Sequence, residues 1–244
     1  MNQLVILAGG RGSRMKSDTP KSLQKIGNTT IIEKLLDSVE NLFPEPVVVV
    51  GHLGDKIVQA VGDRCHYVWQ HDQLGTAHAL SCAREELKDF QHIIVLPGDH
   101  PLIKPDTLEE MLIDHRLNEH MVTVATITVP NFEGDFKLFE HYGRIIRDSN
   151  GEISGIVEYK DATEEQRNIK ELNTSYYCFS TDWLWKNLSM IGDNNVSKEY
   201  YLTDIVRIAV SQKQKISSIP VRNYTEAVGV NSPEELSIAT AYVI

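Results

Sequence analysis

Apolar positions along the chain follow two alternating periods. Short aliphatic or β-branched runs at residues 3–6, 47–50, 67–69, 93–96 and 122–128 read as strands, and Val47 to Val50 is suited to burial on both faces. Between them, Ile31, Ile32, Leu35, Leu36, Val39 and Leu42 recur at helical spacing, with Thr30 and Glu33 placed as a capping box. Further helices are expected over 76–88 and 107–117. Strands alternating with helices in this way predict a mostly parallel sheet covered on both faces.

The pattern changes after residue 128. Residues 143–149 and 152–158 read as a hairpin closed by Asn150-Gly151, the preferred two-residue turn. A polar helix over 161–169, a strand over 172–179 and an amphipathic helix over 198–210 follow. Ser232-Pro233-Glu234-Glu235 opens the last helix, with serine as cap and proline in the first turn. No Gly/Ser-rich linker or repeat divides the chain, so residues 1–244 are expected to form one domain.

Composition narrows the classes. A net charge of −10 argues against a general nucleic-acid binder. No apolar run reaches the length of a membrane span, and the first eight residues lack a signal peptide's charged start and cleavage site. Cys65, Cys82 and Cys178 are odd in number and widely spaced, which fits free thiols in a cytoplasmic protein.

Against this acidic background, residues 7–23, LAGGRGSRMKSDTPKSL, stand out. A strand empties into a loop whose Gly9, Gly10 and Gly12 allow positive φ and close approach of a ligand. Arg11, Arg14, Lys16, Lys21 and Lys25 add five positive charges against one negative, Asp18. Backbone N–H groups with concentrated cations suit several phosphates at once. The spacing is not that of a P-loop, and Met15 stands where a dinucleotide fingerprint needs its third glycine. Pro20 fixes its own φ and holds the neighbouring chain extended, so Lys21 is aimed.

Two further segments carry candidate chemistry. Residues 93–103, IIVLPGDHPLI, put Asp99 at the C-terminal end of a buried strand, where open α/β sheets bind ligands. It reads as a turn aspartate or, beside a phosphate loop, as an oxygen ligand for Mg²⁺. Residues 70–80, QHDQLGTAHAL, place Gln73, Gly75 and Thr76 in a strand-to-helix turn, with Thr76 as N-cap.

The first loop, with Gly9-Gly10-Arg11-Gly12-Ser13-Arg14-Met15 followed by Pro20-Lys21, resembles the signature of the sugar-1-phosphate nucleotidyltransferases. The resemblance extends over nearly the whole chain through YGRI at 142–145, GIVEYKDATEEQRNIKELNTS at 155–175, NVSKEYYLTDIV at 195–206 and EAVGVNSPEEL at 226–236. It is nearest to the uridylyltransferase half of the bacterial N-acetylglucosamine-1-phosphate enzymes. The resemblance implies an α/β fold: a doubly wound, mostly parallel, Rossmann-like sheet of the nucleotide-diphospho-sugar transferase type. An inserted β-hairpin would build a sugar-binding half over about 129–244, against a nucleotide-binding half over about 1–128.

It also implies roles. Arg14 and Lys21 would be catalytic, and Asp99 and Asn231 would carry Mg²⁺. The nucleotide would lie on Leu7, Ala8, Gly9, Gly10, Gly12, Ser13, Gln70, Gln73, Gly75 and Thr76, with Gln70 and Gly75 at uracil. The sugar would lie on Gly98, Gly143, Glu158 and Asn173, with Lys198 as a second cation toward the phosphates. Partners would be small molecules, a nucleoside triphosphate and a sugar 1-phosphate, with no nucleic acid or membrane, in a monomer or small homo-oligomer. GTP, dTTP or CTP with a modified amino sugar is the nearest rival, and a catalytically silent nucleotide-sugar sensor the more distant one.

The sequence also departs from the family pattern. Gly9 replaces a usual alanine, Pro97 a frequent tyrosine, and Ser175 a common glycine. Residues 129–141 are longer than the usual connection and carry Phe132, Phe136 and Phe139, which implies a reshaped sugar pocket. No hexapeptide repeats occur, so acetyl transfer is not expected.

Overall fold

The computed structural model describes residues 1–10, 12–15 and 17–243, without the side chain of Ser13. Arg11 and Lys16, two of the expected loop cations, lie outside the described residues. In chain order the strands and helices are β1 (Asn2–Leu7), β2 (Lys25–Ile26), β3 (Thr29–Thr30), α1 (Ile31–Val39), β4 (Val47–Val50), α2 (Gly54–Val61), β5 (His66–Trp69), α3 (Thr76–Cys82), α4 (Arg84–Leu87), β6 (His92–Pro97), α5 (Pro105–Leu117), β7 (Val122–Thr128), β8 (Arg144–Arg147), β9 (Ile153–Val157), α6 (Glu164–Arg167), β10 (Glu171–Ser180), α7 (Thr181–Asn187), α8 (Asp204–Ser211), β11 (Ile216–Pro220) and α9 (Pro233–Ala241).

The main sheet runs β11-β7-β10-β6-β1-β4-β5, with β8 and β9 attached through β10. β6, β1, β4 and β5 are mutually parallel, as are β11 and β7, while β10 is antiparallel to both of its neighbours on that path. This is the expected mixed α/β architecture with a mostly parallel centre. Alternate residues of one strand feed opposite faces: Val5, Val47 and Val95 pack toward Leu80, Leu184 and Ile205, whereas Leu4, Ile6, Val48 and Leu96 pack toward Leu35, Ile57 and Met111. The predicted capping box on α1 is present, Thr30 Oγ1 accepting from Glu33 N and Glu33 accepting from Thr30 N. Ser232 likewise caps α9.

Several boundaries differ from the sequence reading for identifiable reasons. The expected helix over 198–210 begins only at Asp204. Lys198 has φ +55°, and Tyr200 is held outside the helix, its N–H donating to Leu74 O at 2.8 Å and its O accepting from Ala77 N at 2.9 Å. That distant pairing outweighs local helical spacing. The helix over 76–88 breaks at Ala83, whose N–H turns back to Leu80 O at 3.0 Å. The polar helix over 161–169 is the single turn α6.

The hairpin is closed by three residues rather than two. Asp148 N donates to Glu152 O, and the Asp148 carboxylate accepts from both Asn150 N and Glu152 N. Gly151 takes the left-handed position at φ +84°, as three-residue loops require. The residues 129–141 contribute to a third apolar cluster: Phe139 is fully buried with Ile127, Leu172 and Val228, and Phe132 and Phe136 lie against it.

Candidate active site

β1 and β6 are adjacent and parallel, pairing Leu7 with Pro97, and each ends in a loop. The strands flanking β1 lead away in opposite directions, which opens a crevice at these C-terminal ends. A cavity of 350 Å³ occupies it. One wall is Leu7, Ala8, Gly9, Gly10, Lys21 and Ser22; a second is Gln70, Gln73, Gly75, Thr76 and Ala79. Gly98 and Asp99 form the floor, and Glu158, Ser175, Tyr177, Glu199, Leu202 and Thr203 close the far end.

The glycine loop works partly as expected and partly otherwise. Of Gly9, Gly10 and Gly12, only Gly12 has a left-handed φ, +59°. Gly9 instead lets Gln70 approach closely: a Cβ there would lie 2.8 Å from Gln70 Oε1, and that side chain would have to move. Arg14 sits in a 3₁₀ turn (Ser13–Met15), exposed, with buried Met15 anchoring the turn and Met15 N donating to Gly12 O at 2.9 Å. It stands beside the loop and outside the cavity lining.

Lys21, Asp99 and Asn231 meet although 210 residues separate the first from the last. Lys21 Nζ donates to Asp99 Oδ2 and, at 2.8 Å, to Asn231 Oδ1. Burial alone would raise the Asp99 carboxyl pKa, but the Lys21 charge, the Lys21 hydrogen bond and a backbone hydrogen bond leave it below the ordinary value. His100 is itself pushed down to about 4 by burial and is therefore neutral near pH 7.

A second layer fixes these groups. His100 Nδ1 shares a 2.8 Å hydrogen bond with Tyr176 OH, which donates to Glu226 O at 2.5 Å. Tyr142 OH donates to Ala227 O at 2.7 Å and accepts from Gly229 N at 2.9 Å. Asp99 O accepts from Val230 N at 2.9 Å, so the segment bearing Asn231 is tied directly to the end of β6.

At the second wall, Gln70 is buried, and its Nε2 lies 3.2 Å from Gly75 O and 3.0 Å from His78 Nδ1. Thr76 is the first residue of α3 rather than its N-cap; its hydroxyl accepts from Leu202 N at 2.9 Å and joins this wall to the far end.

At that end, Glu158 accepts from Thr203 Oγ1 at 3.1 Å. Burial pushes its carboxyl above the usual range, the Thr203 bond opposes this, and Asp161, Asp204 and Glu199 add to the rise. Asn173 is buried behind the cavity wall, donating from Nδ2 to Tyr177 OH at 2.7 Å and accepting from Ser175 N at 3.0 Å. Gly143 lies behind Asn173, the Cβ of which would be 3.5 Å from a Cβ on the glycine. Lys198 is exposed and, like Gly143 and Asn173, stands outside the lining.

The sequence reading did not single out Ser175 as a site residue, nor Tyr177, Thr203, Glu199 or the His100–Tyr176 pair. Thr203 and Glu199 were in a highlighted segment, but only long-range pairing turns them toward Glu158.

The whole crevice can bind a phosphate-rich ligand at one end and a polar, hydroxyl-bearing group at the other. Residues 4–172 match the MobA-like NTP transferase domain. Over 245 residues the chain is 38% identical to the bifunctional protein GlmU of Streptococcus pyogenes serotype M18, covering 100% of this chain and 51% of that protein. It is 38% identical over 242 residues to GlmU of Streptococcus agalactiae serotype V, covering 98% of this chain and 51% of that protein. The chain thus spans about half the length of the curated relatives it matches. Similarity that runs from the glycine loop to the Asn231 segment, on a sheet of this topology, makes the chain a nucleotidyltransferase of the MobA-like NTP transferase family.

Proposed function

We propose that the chain transfers UMP from UTP to a sugar 1-phosphate, most closely N-acetylglucosamine 1-phosphate, giving a UDP-sugar and pyrophosphate. The observation that carries this reading is the single cavity in which a glycine loop, the Lys21–Asp99–Asn231 cluster and the Glu158 end share one space or border it. A phosphate oxygen of the sugar substrate attacks the α-phosphorus. The bond from that phosphorus to the bridging oxygen breaks, and pyrophosphate leaves with the electron pair. No covalent nucleophile on the protein is needed, so alignment and charge neutralisation are the protein's contribution.

The loop amides, with Arg14 at the loop's outer side, receive the β and γ phosphates. Lys21, at the junction of both ends, is the donor for charge that grows on the reacting phosphates. Gln70 and the Gly75 backbone meet the uracil, and Glu158 accepts from sugar hydroxyls. Gly143 and Asn173 support the sugar end from behind, and Lys198 is a cation at its outer rim. UTP and the sugar phosphate are cytoplasmic metabolites, which sets the proposed location; among the described residues no helix is long and apolar enough to cross a membrane.

The residues fit Mg²⁺. Asp99 offers a carboxylate held in its charged form and Asn231 a carbonyl oxygen, and both converge on one positive group, Lys21 Nζ. A hard cation held by one or two protein oxygens and completed by substrate phosphates is the usual Mg²⁺ arrangement at such sites. Asp99 and Asn231 would hold it, and when bound it would neutralise phosphate charge and polarise the α-phosphoryl group.

The test is pyrophosphate release by the purified protein across UTP, GTP, dTTP and CTP, each paired with a panel of sugar 1-phosphates. UTP with N-acetylglucosamine 1-phosphate should give the highest kcat/KM. A preference for another nucleotide would overturn the uracil assignment, and silence with every pair would overturn the reaction.

A further inference from the structure

β10 departs from regular pairing at the point where it reaches the cavity. Asn173 pairs with Thr126 and Tyr177 with Val124, so three residues of β10 stand opposite Ala125 alone. Ser175 is the middle of the three and has φ +66°. Five non-glycine residues among those described have positive φ, and of them only Ser175 lines the cavity. It is also the one partly open residue in an otherwise buried run from 172 to 179.

This conformation is disfavoured for a residue with a Cβ, and such conformations persist where the surroundings over-determine them. Here they do. The Asn173 side chain accepts from Ser175 N at 3.0 Å, and Thr174 Oγ1 donates to Ala125 O at 2.8 Å and accepts from Tyr176 N at 3.3 Å. The bulge is locked on both sides of Ser175. Both polar ends of the Asn173 amide are meanwhile engaged, with Ser175 N and with Tyr177 OH. Asn173 therefore holds the wall, and the residue presented to the cavity at that point is Ser175, in the company of Glu158, Tyr177 and Thr203.

We infer that Ser175 is a specificity-determining residue, selecting among sugar 1-phosphates by the size and hydrogen-bonding capacity of the ring substituent it meets. This rests on the sugar-phosphate reading above. Its Cβ and hydroxyl take up space that glycine would leave open, and the hydroxyl both donates and accepts. A wall group of this kind discriminates because a substituent that cannot pair with it leaves a polar group unsatisfied, and one that is too large meets the Cβ. A side chain held at a backbone position that favours glycine, facing the cavity, is the observation from which this inference runs.

The experiment compares wild type, S175G and S175A with glucose 1-phosphate, glucosamine 1-phosphate and N-acetylglucosamine 1-phosphate, using UTP and pyrophosphate release. In S175G the ratio of kcat/KM between the best and the worst sugar should change by roughly tenfold or more, with the KM for UTP within about twofold of wild type. S175A should retain the steric part of the discrimination and lose the hydrogen-bonding part. The thermal midpoint of S175G should rise, since glycine adopts this φ without penalty. A rise in midpoint with unchanged sugar ratios would overturn the inference and leave Ser175 as a tolerated strained residue. An inert wild type would instead overturn the reaction itself, so the two failures are distinguishable.

Discussion

Replacing Lys21 by alanine separates what the cluster contributes to the fold from what it contributes to chemistry. Lys21 Nζ bonds both Asp99 and Asn231. Without it, Asp99, 8% exposed, is left among the described residues with a backbone hydrogen bond and with neutral His100, whose Nε2 lies 3.7 Å from Oδ1. Removing one partner of a fully buried pair costs about 3–5 kcal/mol. The Lys21 side chain is 20% exposed, so water screens part of the interaction, and a cost of about 2 kcal/mol is expected. The chemical step should lose more. A missing preorganised donor raises the barrier by about 2.7–4 kcal/mol, a 10²- to 10³-fold fall in turnover. Urea unfolding of wild type, Lys21→Ala, Asp99→Asn and the double variant gives the coupling, and pyrophosphate release gives the turnover. The Asp99→Asn background should cancel at least half of the Lys21→Ala stability loss, because no buried charge is then left unpaired. Additive stability losses, within about 0.5 kcal/mol, would refute the pairing. Near-wild-type turnover of Lys21→Ala would remove it from the mechanism.

Other outcomes follow from the same geometry. Activity should vanish in EDTA and return with Mg²⁺, whereas Asp99→Ala should stay inactive at ordinary Mg²⁺ levels; full turnover in a chelated assay would exclude the metal role. Glu158→Ala should raise the KM for the sugar phosphate about tenfold or more with UTP affinity nearly unchanged, and equal weakening of both would mark Glu158 as a fold residue. His115 is fully buried between Thr123 and Ser180, and burial pushes its pKa from 6.5 to about 3. Between those values the unfolded chain binds a proton that the folded chain refuses, so stability is lost as pH falls from about 6.5 toward 3, at up to about 1.4 kcal/mol per pH unit. His115→Gln should flatten that part of the stability–pH curve measured by urea unfolding, and an unaltered slope would contradict the assignment.

The sequence made the sheet centre legible because its strands are buried on both faces and therefore continuously apolar, as at Val47–Val50. The Thr30–Glu33 and Ser232–Glu235 caps were equally readable, being contacts three residues apart. What failed depends on partners far along the chain. Tyr200 is pinned to the 74–77 turn, which delays α8 to Asp204, and the β10 bulge is set against β7 by Asn173 and Thr174. Much of the site was named from motifs because loops following β1 and β6 must converge once those strands pair. The residues at the Glu158 end were harder: Asn173 carries the motif, yet it is the strained neighbour Ser175 that faces the cavity, and no local pattern announces a left-handed serine. The aromatic residues at 132, 136 and 139 gave no local sign of where they pack: Phe136 meets Tyr224, Phe139 meets Tyr142, and all three join one apolar cluster.

The position of β10 has a consequence for how the protein comes into being. This strand lies between β6 and β7, although it follows both in the chain. When synthesis has passed β7, both of those strands still carry an unpaired edge facing the place that β10 will fill, and such edges invite pairing with other chains. Only when residues 171–180 emerge can the sheet close. The same insertion delivers Ser175 and Tyr177 to the cavity wall, so joining the two parts of the sheet and building that part of the wall are one event. A nascent chain halted before β10 should therefore be captured by chaperones and cleaved readily by protease, and one halted well beyond it should be released.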